Sequence, residues 1–396
     1  MIILLLTLVF LVIRVLPGDP VLLHFERRAD PEAMAEVRRE LGMDKPLINQ
    51  YFDYLMGLLR GDLGRSMFKP YEPVSQQIFS AFPATLELAI YSMIIAVAIG
   101  VLLGVRSSRS YNKPIDHSIR AFGIITYSIP VFFLGMILQL VFSRGLGWFP
   151  SLNRFPIAME SPHGLTLYLS PPTGGFISQL LLSCPAGFVS LGICIIALRR
   201  KRVKFWRKGF LISLSAFFLG WLVWALIVWY FKCAGGLHIS TGLYTIDSLL
   251  EANATKFIQS VRYLFLPSLT LGLILCGIFI RLTRNNMLET LRLDFVTAAR
   301  ARGLKERVVV YSYAFRNAFL PVLTMMGLQF ATLLGGAVLT ETTFAWPGLG
   351  RYIVDRINFR DYTAIQGAIV VFGLFVALVS LVVDILYAYL DPRIRL

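Results

Sequence analysis

The chain has 396 residues, of which 56% are hydrophobic and only 15% charged, whereas soluble domains average about 45–50% apolar and about 25% charged residues. Its mean hydropathy is +0.68, and its apolar residues form uncharged blocks of roughly 18–23 residues, long enough to cross a hydrocarbon core of about 30 Å. This composition excludes a soluble enzyme, a nucleic-acid-binding domain and a disordered chain. It predicts an all-α polytopic membrane protein.

The apolar blocks predict about eight transmembrane helices with both termini in the cytoplasm. We place the spans at 1–16, 84–104, 121–143, 176–198, 209–231, 263–280, 321–340 and 363–388. The loops that then face the cytoplasm hold 21 Lys and Arg residues against 5 Asp and Glu; they are 105–120, 199–208, 281–320 and 389–396. This asymmetry follows the positive-inside rule. It accounts for the net charge of +15 without a nucleic-acid partner.

The first span, 1–16, is the weakest because Arg14 interrupts it. No basic residue precedes it and no small-residue cleavage site follows, so we expect an uncleaved span rather than a secretory signal. Residues 17–83 form the longest polar stretch, with apolar residues at helical spacing in 31–41 and 48–59. This pattern predicts a small extracytoplasmic subdomain of short helices.

Carboxylates are nearly absent from the middle of the spans. Glu87 lies near the outer end of its span and Asp384 near the inner end of the last one. Because a carboxylate at mid-bilayer usually serves ion coupling, its absence there argues against a secondary transporter. The four cysteines show no CxxC spacing and the four histidines form no ligand pair. We therefore expect the cysteines to be small membrane-facing or core residues, with no disulfide and no bound metal.

The cytoplasmic loop 281–320 is the most informative segment. Residues from Asp294 onward favour a short helix, because alanines favour helices and Asp294 complements the helix dipole, and Gly303 supplies a left-handed stop. Ala298 and Ala299 are expected to form a smooth face that another protein approaches, with solvated Arg and Lys side chains around it. Such a protrusion suits docking, although an ordinary solvated loop fits the same pattern.

At these residues the sequence resembles the EAA coupling motif of ABC-importer permeases, Glu-Ala-Ala followed after three residues by Gly and later by Leu-Pro. Thr297-Ala298-Ala299 stands for Glu-Ala-Ala, Gly303 for the glycine and Leu320-Pro321 for Leu-Pro. Further stretches are similar to the oligopeptide, dipeptide and nickel permease family: 16–20, 40–47, 61–66, 82–89, 128–132, 147–151, 341–351 and 390–396. Together they resemble the first of the two permease subunits of such importers.

Two departures from the family pattern matter. Thr297 replaces an acidic residue, which puts in doubt any ion pair of this position with an ATPase. The family has six spans, whereas here about 65 additional residues follow the Pro171–Gly174 stretch and contain two further spans. We therefore expect a six-helix permease core with an inserted, lipid-facing hairpin at 176–231, outside the transport pathway; a docking or regulatory element is the alternative.

The expected organisation has five parts. They are the first span (1–16), the extracytoplasmic subdomain (17–83), core spans two and three with an outer loop (84–175), the inserted hairpin (176–231) and the remaining core with the coupling loop (232–396).

The resemblance implies an ABC-importer permease in the inner membrane of a prokaryote. No GxxxxGK[ST] phosphate loop occurs in the chain, so ATP and Mg would be used by partner ATPases, and this chain would be no enzyme and hold no cofactor. The implied partners are a second homologous permease, two cytoplasmic ATP-binding subunits, an extracytoplasmic solute-binding protein and membrane lipid. The residues implied in ATPase coupling are Asp294, Thr297, Ala298, Ala299, Arg300, Arg302, Gly303, Leu304, Arg316, Asn317 and Pro321.

A second candidate site lies just outside the seventh span, in Glu341–Arg351. Glu341, Trp346, Pro347 and Gly348 are expected to shape the outer mouth or to contact the binding protein. An interfacial re-entrant turn anchored by Trp346 is the alternative.

The transported solute stays open among the dipeptides, longer peptides, nickel chelates and other small solutes of the family, and we expect peptides. A secondary transporter and a non-transporting membrane scaffold are the competing classes. An intramembrane enzyme is disfavoured because the sequence lacks a nucleophile–base or metal constellation.

Overall fold

The computed structural model describes residues 2–15, 45–66, 72–154, 167–169, 237–239, 241–250 and 253–390. Their α-helices are, in chain order, α1 (Ile2–Val15), α2 (Leu47–Leu59), α3 (Val74–Arg109), α4 (Pro114–Ser128), α5 (Val131–Leu138), α6 (Tyr244–Leu250), α7 (Ala254–Thr290), α8 (Asp294–Ala301), α9 (Glu306–Val308), α10 (Phe315–Ala318), α11 (Leu320–Gly336), α12 (Val338–Thr343), α13 (Leu349–Phe359) and α14 (Tyr362–Leu390). Two π-helical segments, Gln139–Gly145 and Val309–Ala314, follow α5 and α9.

The all-α class is confirmed, and the helices are those of a membrane protein. Among the described residues, α3, α7 and α14 are each long and apolar enough to span a bilayer, and two bent helix pairs raise the number of candidate spans to five. The count of eight stays a prediction. The predicted hairpin 176–231, the helical pattern at 31–41 and the C-terminal residues 391–396 lie outside the described residues.

The chain divides into two compact units, 1–154 with 264–396, and 155–263. In the second unit, β1 (Leu167–Leu169) pairs antiparallel with β2 (Leu237–Ile239). The carboxylate of Asp247, on α6, accepts hydrogen bonds of 2.8 and 2.6 Å from the backbone N–H and the hydroxyl of Thr241. These bonds fix the turn that leads into α6.

In the first unit, α3 has 36 residues, which extend about 54 Å at 1.5 Å per residue. Near its start, Val74 and Ile78 pack with Leu349 of α13 and Ala364 of α14. Near its end, Val105 belongs to a separate apolar cluster around Val296 that is described below. The helix therefore connects two distant packing centres.

The predicted span 121–143 contains a sharp bend, because α4 and α5 with its π-helical extension are bent by 104° relative to each other. Ile129 and Pro130 have extended backbone angles between them. Proline lacks an N–H group and disfavours a helical conformation in the residue before it, so a helix ends there.

Cys276 of α7 is a free, fully buried thiol, as predicted for a core cysteine. The other three cysteines lie outside the described residues. No group of three or more His, Cys, Asp or Glu side chains that could hold a metal ion occurs within the described ranges.

Candidate functional site

The candidate coupling segment folds as a short helix with a left-handed end. Helix α8 begins at Asp294, after Leu293 in extended conformation, and ends at Ala301. Gly303 follows with φ +71°, and a Cβ atom placed there would meet no atom within 4 Å. The predicted helix and its glycine stop are both present, and the glycine lies at an open surface.

The two faces of α8 differ sharply. Val296 and Ala299, three residues apart on one face, are buried, whereas Thr297, Ala298 and Arg300 are exposed. The expectation that both alanines form one exposed face is therefore wrong. Adjacent residues of a helix point about 100° apart, so only Ala298 faces outward, and Ala299 belongs to the core.

The buried face of α8 packs into a cluster that joins several helices; we call it the coupling cluster. Its buried members are Val105, Met287, Val296, Ala299, Val309, Val310, Ala314 and Ala318. These residues come from α3, α7, α8, the second π-helical segment and α10. The buried face of α8 is therefore packed against two long helices of the unit, α3 and α7.

The exposed side of the segment is basic and partly apolar. Arg300, Arg302 and Lys305 are exposed, and Arg300 Nη2 lies 3.0 Å from Glu306 Oε1 in a solvated ion pair. Leu304 is 36% exposed. We call the exposed residues Asp294, Thr297, Ala298, Arg300, Arg302, Gly303 and Leu304 the coupling surface.

The predicted coupling residues after α9 lie beside the same cluster. Arg316 and Asn317 of α10 are exposed, and Asn317 Nδ2 donates a hydrogen bond of 3.1 Å to the Tyr313 carbonyl. Their neighbour Ala318 is buried in the coupling cluster. Pro321 lies in the first turn of α11, where proline's missing N–H group costs no helical hydrogen bond.

A buried ion pair that sequence reasoning missed links α4 to α7. Asp116 is fully buried and accepts two hydrogen bonds of 2.8 Å from Arg284, one from Nε and one from Nη2. The Ser107 hydroxyl of α3 donates a third. Asp116 is the only acidic residue in the basic loop 105–120, and this could have marked it as part of an ion pair. Its partner Arg284 could not be identified from the sequence, because it lies 168 positions away.

The second candidate site centres on a buried carboxylate. Glu341 of α12 is fully buried and accepts hydrogen bonds of 2.7 Å from the Thr85 hydroxyl and 3.0 Å from the Arg351 backbone N–H. Burial raises the pKa of the Glu341 carboxyl above its ordinary value. The hydrogen bonds from Thr85 and from the Arg351 and Gly350 backbone offset only part of this shift. A Cβ atom on Gly348 would overlap this carboxylate, so the close approach requires glycine there.

Trp346 is also buried, which overturns the alternative of an interfacial turn anchored by its ring. Its side chain is 1% exposed, and its Nε1 donates a hydrogen bond of 2.8 Å to the Ala84 carbonyl. An indole at a lipid–water interface would remain accessible. Pro347 is exposed, so of the four predicted residues it alone reaches the surface.

A second buried ion pair supports Trp346. Arg154 donates hydrogen bonds to Glu87 from Nε at 3.1 Å and from Nη2 at 2.5 Å, and both side chains are almost fully buried. The Arg154 guanidinium also lies 5.7 Å from the Trp346 ring centroid. We call these interacting residues the outer network: Thr85, Glu87, Arg154, Glu341 and Trp346. Through it, α12, the turn at Trp346 and the segment at Arg154 are each hydrogen-bonded to α3. The position of Glu87 inside a predicted span indicated that its carboxylate needs a partner. No feature of the sequence indicated that Arg154 is this partner.

Known protein families match most of the chain. Residues 189–396 match the binding-protein-dependent transport system inner membrane component, and residues 1–89 match the N-terminal part of a binding-protein-dependent transport system membrane component.

Individual relatives are similar over almost the whole length. A di/tripeptide transport system permease protein of Pseudomonas aeruginosa is 37% identical, with 98% of this chain and 93% of the relative covered. A dipeptide transport system permease protein of Escherichia coli K12 is 34% identical with the same coverage. A glutathione transport system permease protein of Salmonella choleraesuis is 32% identical, with 98% and 92% covered.

These matches agree with the resemblance found in the motifs and with the long apolar helices. The protein is a multi-pass membrane protein and a transport component rather than an enzyme. The chain belongs to the family of binding-protein-dependent transport system inner membrane components, the permease subunits of ABC importers.

Proposed function

We propose that this chain is one of two permease subunits of a peptide importer. A second homologous permease would complete the pathway, two cytoplasmic ATPases would supply the work, and an extracytoplasmic solute-binding protein would deliver the peptide. The family description names a binding protein. The excess of basic residues in the predicted inner loops supports a cytoplasmic location for both termini and for the coupling loop.

One observation carries the proposed coupling role: α8 is exposed at Thr297, Ala298 and Arg300 but buried at Val296 and Ala299. A docked ATPase would contact the first set. The second set connects α8 to α3 and α7 through the coupling cluster. Since Thr297 carries no charge, we expect this contact to depend on shape and on the neighbouring cations rather than on an acidic residue at that position.

The physical mechanism is a shift between two states of the permease pair. ATPases that bind ATP and Mg²⁺ would close, move α8 and stabilise one opening of the pathway over the other, which is alternating access by differential stabilisation. This chain itself would hold no cofactor. Its own part is to keep α8 packed on the long helices, so that displacement of the coupling surface reaches the spans.

We propose that the outer network holds the outer mouth in shape. Glu341, Trp346 and Gly348 are buried and position the turn, whereas Pro347 and Thr342 are exposed and remain available to the binding protein. Of the four predicted outer residues, three therefore support the turn from the interior, and Pro347 is accessible to a binding protein.

Peptides are the substrate class that the relatives favour. The similar permeases are named for di/tripeptide, dipeptide and glutathione transport, and all of these compounds contain peptide bonds. Nickel or another small solute carried by the same mechanism is the competing assignment.

Uptake by the assembled transporter in proteoliposomes tests the proposal. We expect a labelled dipeptide to accumulate only with ATP on the ATPase side and binding protein on the opposite side, and to be outcompeted by unlabelled tripeptide but not by Ni²⁺. An ionophore that collapses ion gradients should leave uptake intact. Nickel uptake without peptide uptake would contradict the assignment of peptides as the substrate class. Loss of uptake in the presence of the ionophore would indicate a secondary transporter.

A further inference from the structure

Helix α2, in the segment between the first two predicted spans, packs against α1 through one face. The Tyr51 hydroxyl and the Thr7 hydroxyl lie 2.6 Å apart. The Phe10 ring lies 5.3 Å from the Tyr51 ring and 5.7 Å from the Tyr54 ring, centroid to centroid. Tyr51 and Tyr54 therefore mark the protein-facing side of α2.

A second face of α2 is apolar and exposed. Ile48, Phe52, Met56 and Leu59 are 66%, 60%, 57% and 83% exposed. At 100° per residue these four side chains fall within an arc of about 80°. An exposed apolar stripe of this length on a helix is unusual for a surface in contact with water and typically marks a binding face.

A third face of α2 is polar and lies beside the apolar one. Asn49 and Asp53 are exposed, and Asp53 Oδ2 accepts a hydrogen bond of 2.6 Å from Lys45 Nζ, with both side chains more than half exposed. The helix thus presents one side to protein, one to an apolar medium and one to water. A boundary between lipid and water supplies the last two environments side by side.

Helix α1, on which α2 packs, also carries an exposed apolar stripe. On α1, the exposed residues Leu4, Leu8 and Leu11 form a stripe at helical spacing, next to the face that carries Thr7 and Phe10.

We propose that α2 is an interfacial helix whose Ile48, Phe52, Met56 and Leu59 face binds bilayer lipid at the boundary between headgroups and acyl chains. The helix holds the adjacent segment of the chain at the membrane surface, beside α1. This role is independent of the proposed peptide transport.

Spin labels on opposite sides of α2 test the proposal in the assembled transporter. In a variant whose four native cysteines are replaced by alanine, Met56→Cys and Asn49→Cys are each labelled with a nitroxide in phosphatidylcholine–phosphatidylglycerol nanodiscs. We expect the Met56 label to collide more with oxygen than with a water-soluble nickel chelate, and the Asn49 label to show the reverse. Leu8→Cys, on the lipid-facing side of α1, is the positive reference.

Two results would overturn the proposal. A Met56 label as accessible to the nickel chelate as the Asn49 label would place that face in water. A Met56 label shielded from both reagents would show that a protein, the binding protein or the second permease, covers it. Phe52→Cys repeats the measurement on the same face if Met56→Cys does not assemble.

Discussion

Two regions of α3, one around Thr85 and one around Val105, pack in opposite ways. At the Val105 end, apolar side chains of the coupling cluster are buried and charged side chains such as Arg300 point outward. At the Thr85 end, charged and polar side chains, Glu341 and the Glu87–Arg154 pair, are themselves buried. Thr85 and Val105 are separated by 20 residues, about 30 Å along one helix.

This difference indicates different roles for the two regions, one in stability and one in contact with another chain. Buried charges are costly unless every partner is present, so the outer network fixes one geometry of the outer turn. Exposed charges around a small apolar contact leave the coupling surface free to meet another chain. Substitutions in the outer network should therefore lower stability, and substitutions of the exposed residues of the coupling surface should lower transport while stability is kept.

The largest expected loss of stability is that of Arg154→Met. Removing one member of a buried ion pair leaves the Glu87 carboxylate without this cation, which costs about 3–5 kcal/mol of unfolding free energy. Denaturant titration in detergent micelles measures the loss. The double variant Glu87→Leu/Arg154→Met should lose less than the single one, and a single variant as stable as the native protein would contradict the role of the pair.

A smaller loss is expected for Glu341→Ala. The Thr85 hydroxyl and the Arg351 N–H would lose their acceptor in a buried site, at a cost of about 1–3 kcal/mol. Glu341→Gln is the matched control, because its carbonyl oxygen preserves one acceptor and its volume fills the site. Equal stability of the two variants, measured in the same titration, would show that these hydrogen bonds do not hold the turn.

The smallest effect on stability is expected for Arg300→Ala at the coupling surface. The ion pair with Glu306 is solvated, and such pairs contribute less than about 1 kcal/mol. The unfolding midpoint should therefore stay unchanged, while the amount of ATPase that copurifies with the permease falls. A clear loss of stability would mean that this end, too, depends on its charges.

Local signals in the sequence were sufficient for the coupling helix. Asp294, the alanines and Gly303 predicted a helix with a left-handed stop, and the structure has both. The burial of Ala299 was not predictable from the sequence, since it depends on which side of α8 meets Val105 and Met287. The bend at Pro130 carried a local signal in proline's own geometry, but the apolar block across it favoured a straight span.

The outer network shows why long-range polar contacts escape sequence reasoning. Glu341 and Thr85 are 256 positions apart, and neither residue carries a pattern that names the other. Trp346 followed by proline and glycine reads equally well as an interfacial anchor or as a buried turn. Only the packing of α12 and α13 against α3 decides between them.

In the proposed mechanism, α8, which is followed by Gly303, transmits the motion of a separate ATPase to α3 and α7. The most direct measurement compares Gly303→Arg with Gly303→Ala in ATP-driven peptide uptake. Both variants place a side chain at φ +71° and so carry a similar backbone strain of about 1–2 kcal/mol, but only arginine projects bulk toward a docked partner.

We predict that Gly303→Arg remains in the membrane at normal levels and loses uptake several-fold, while Gly303→Ala retains most of it. Uptake by Gly303→Arg equal to that of the native protein would contradict the assignment of α8 as the coupling element.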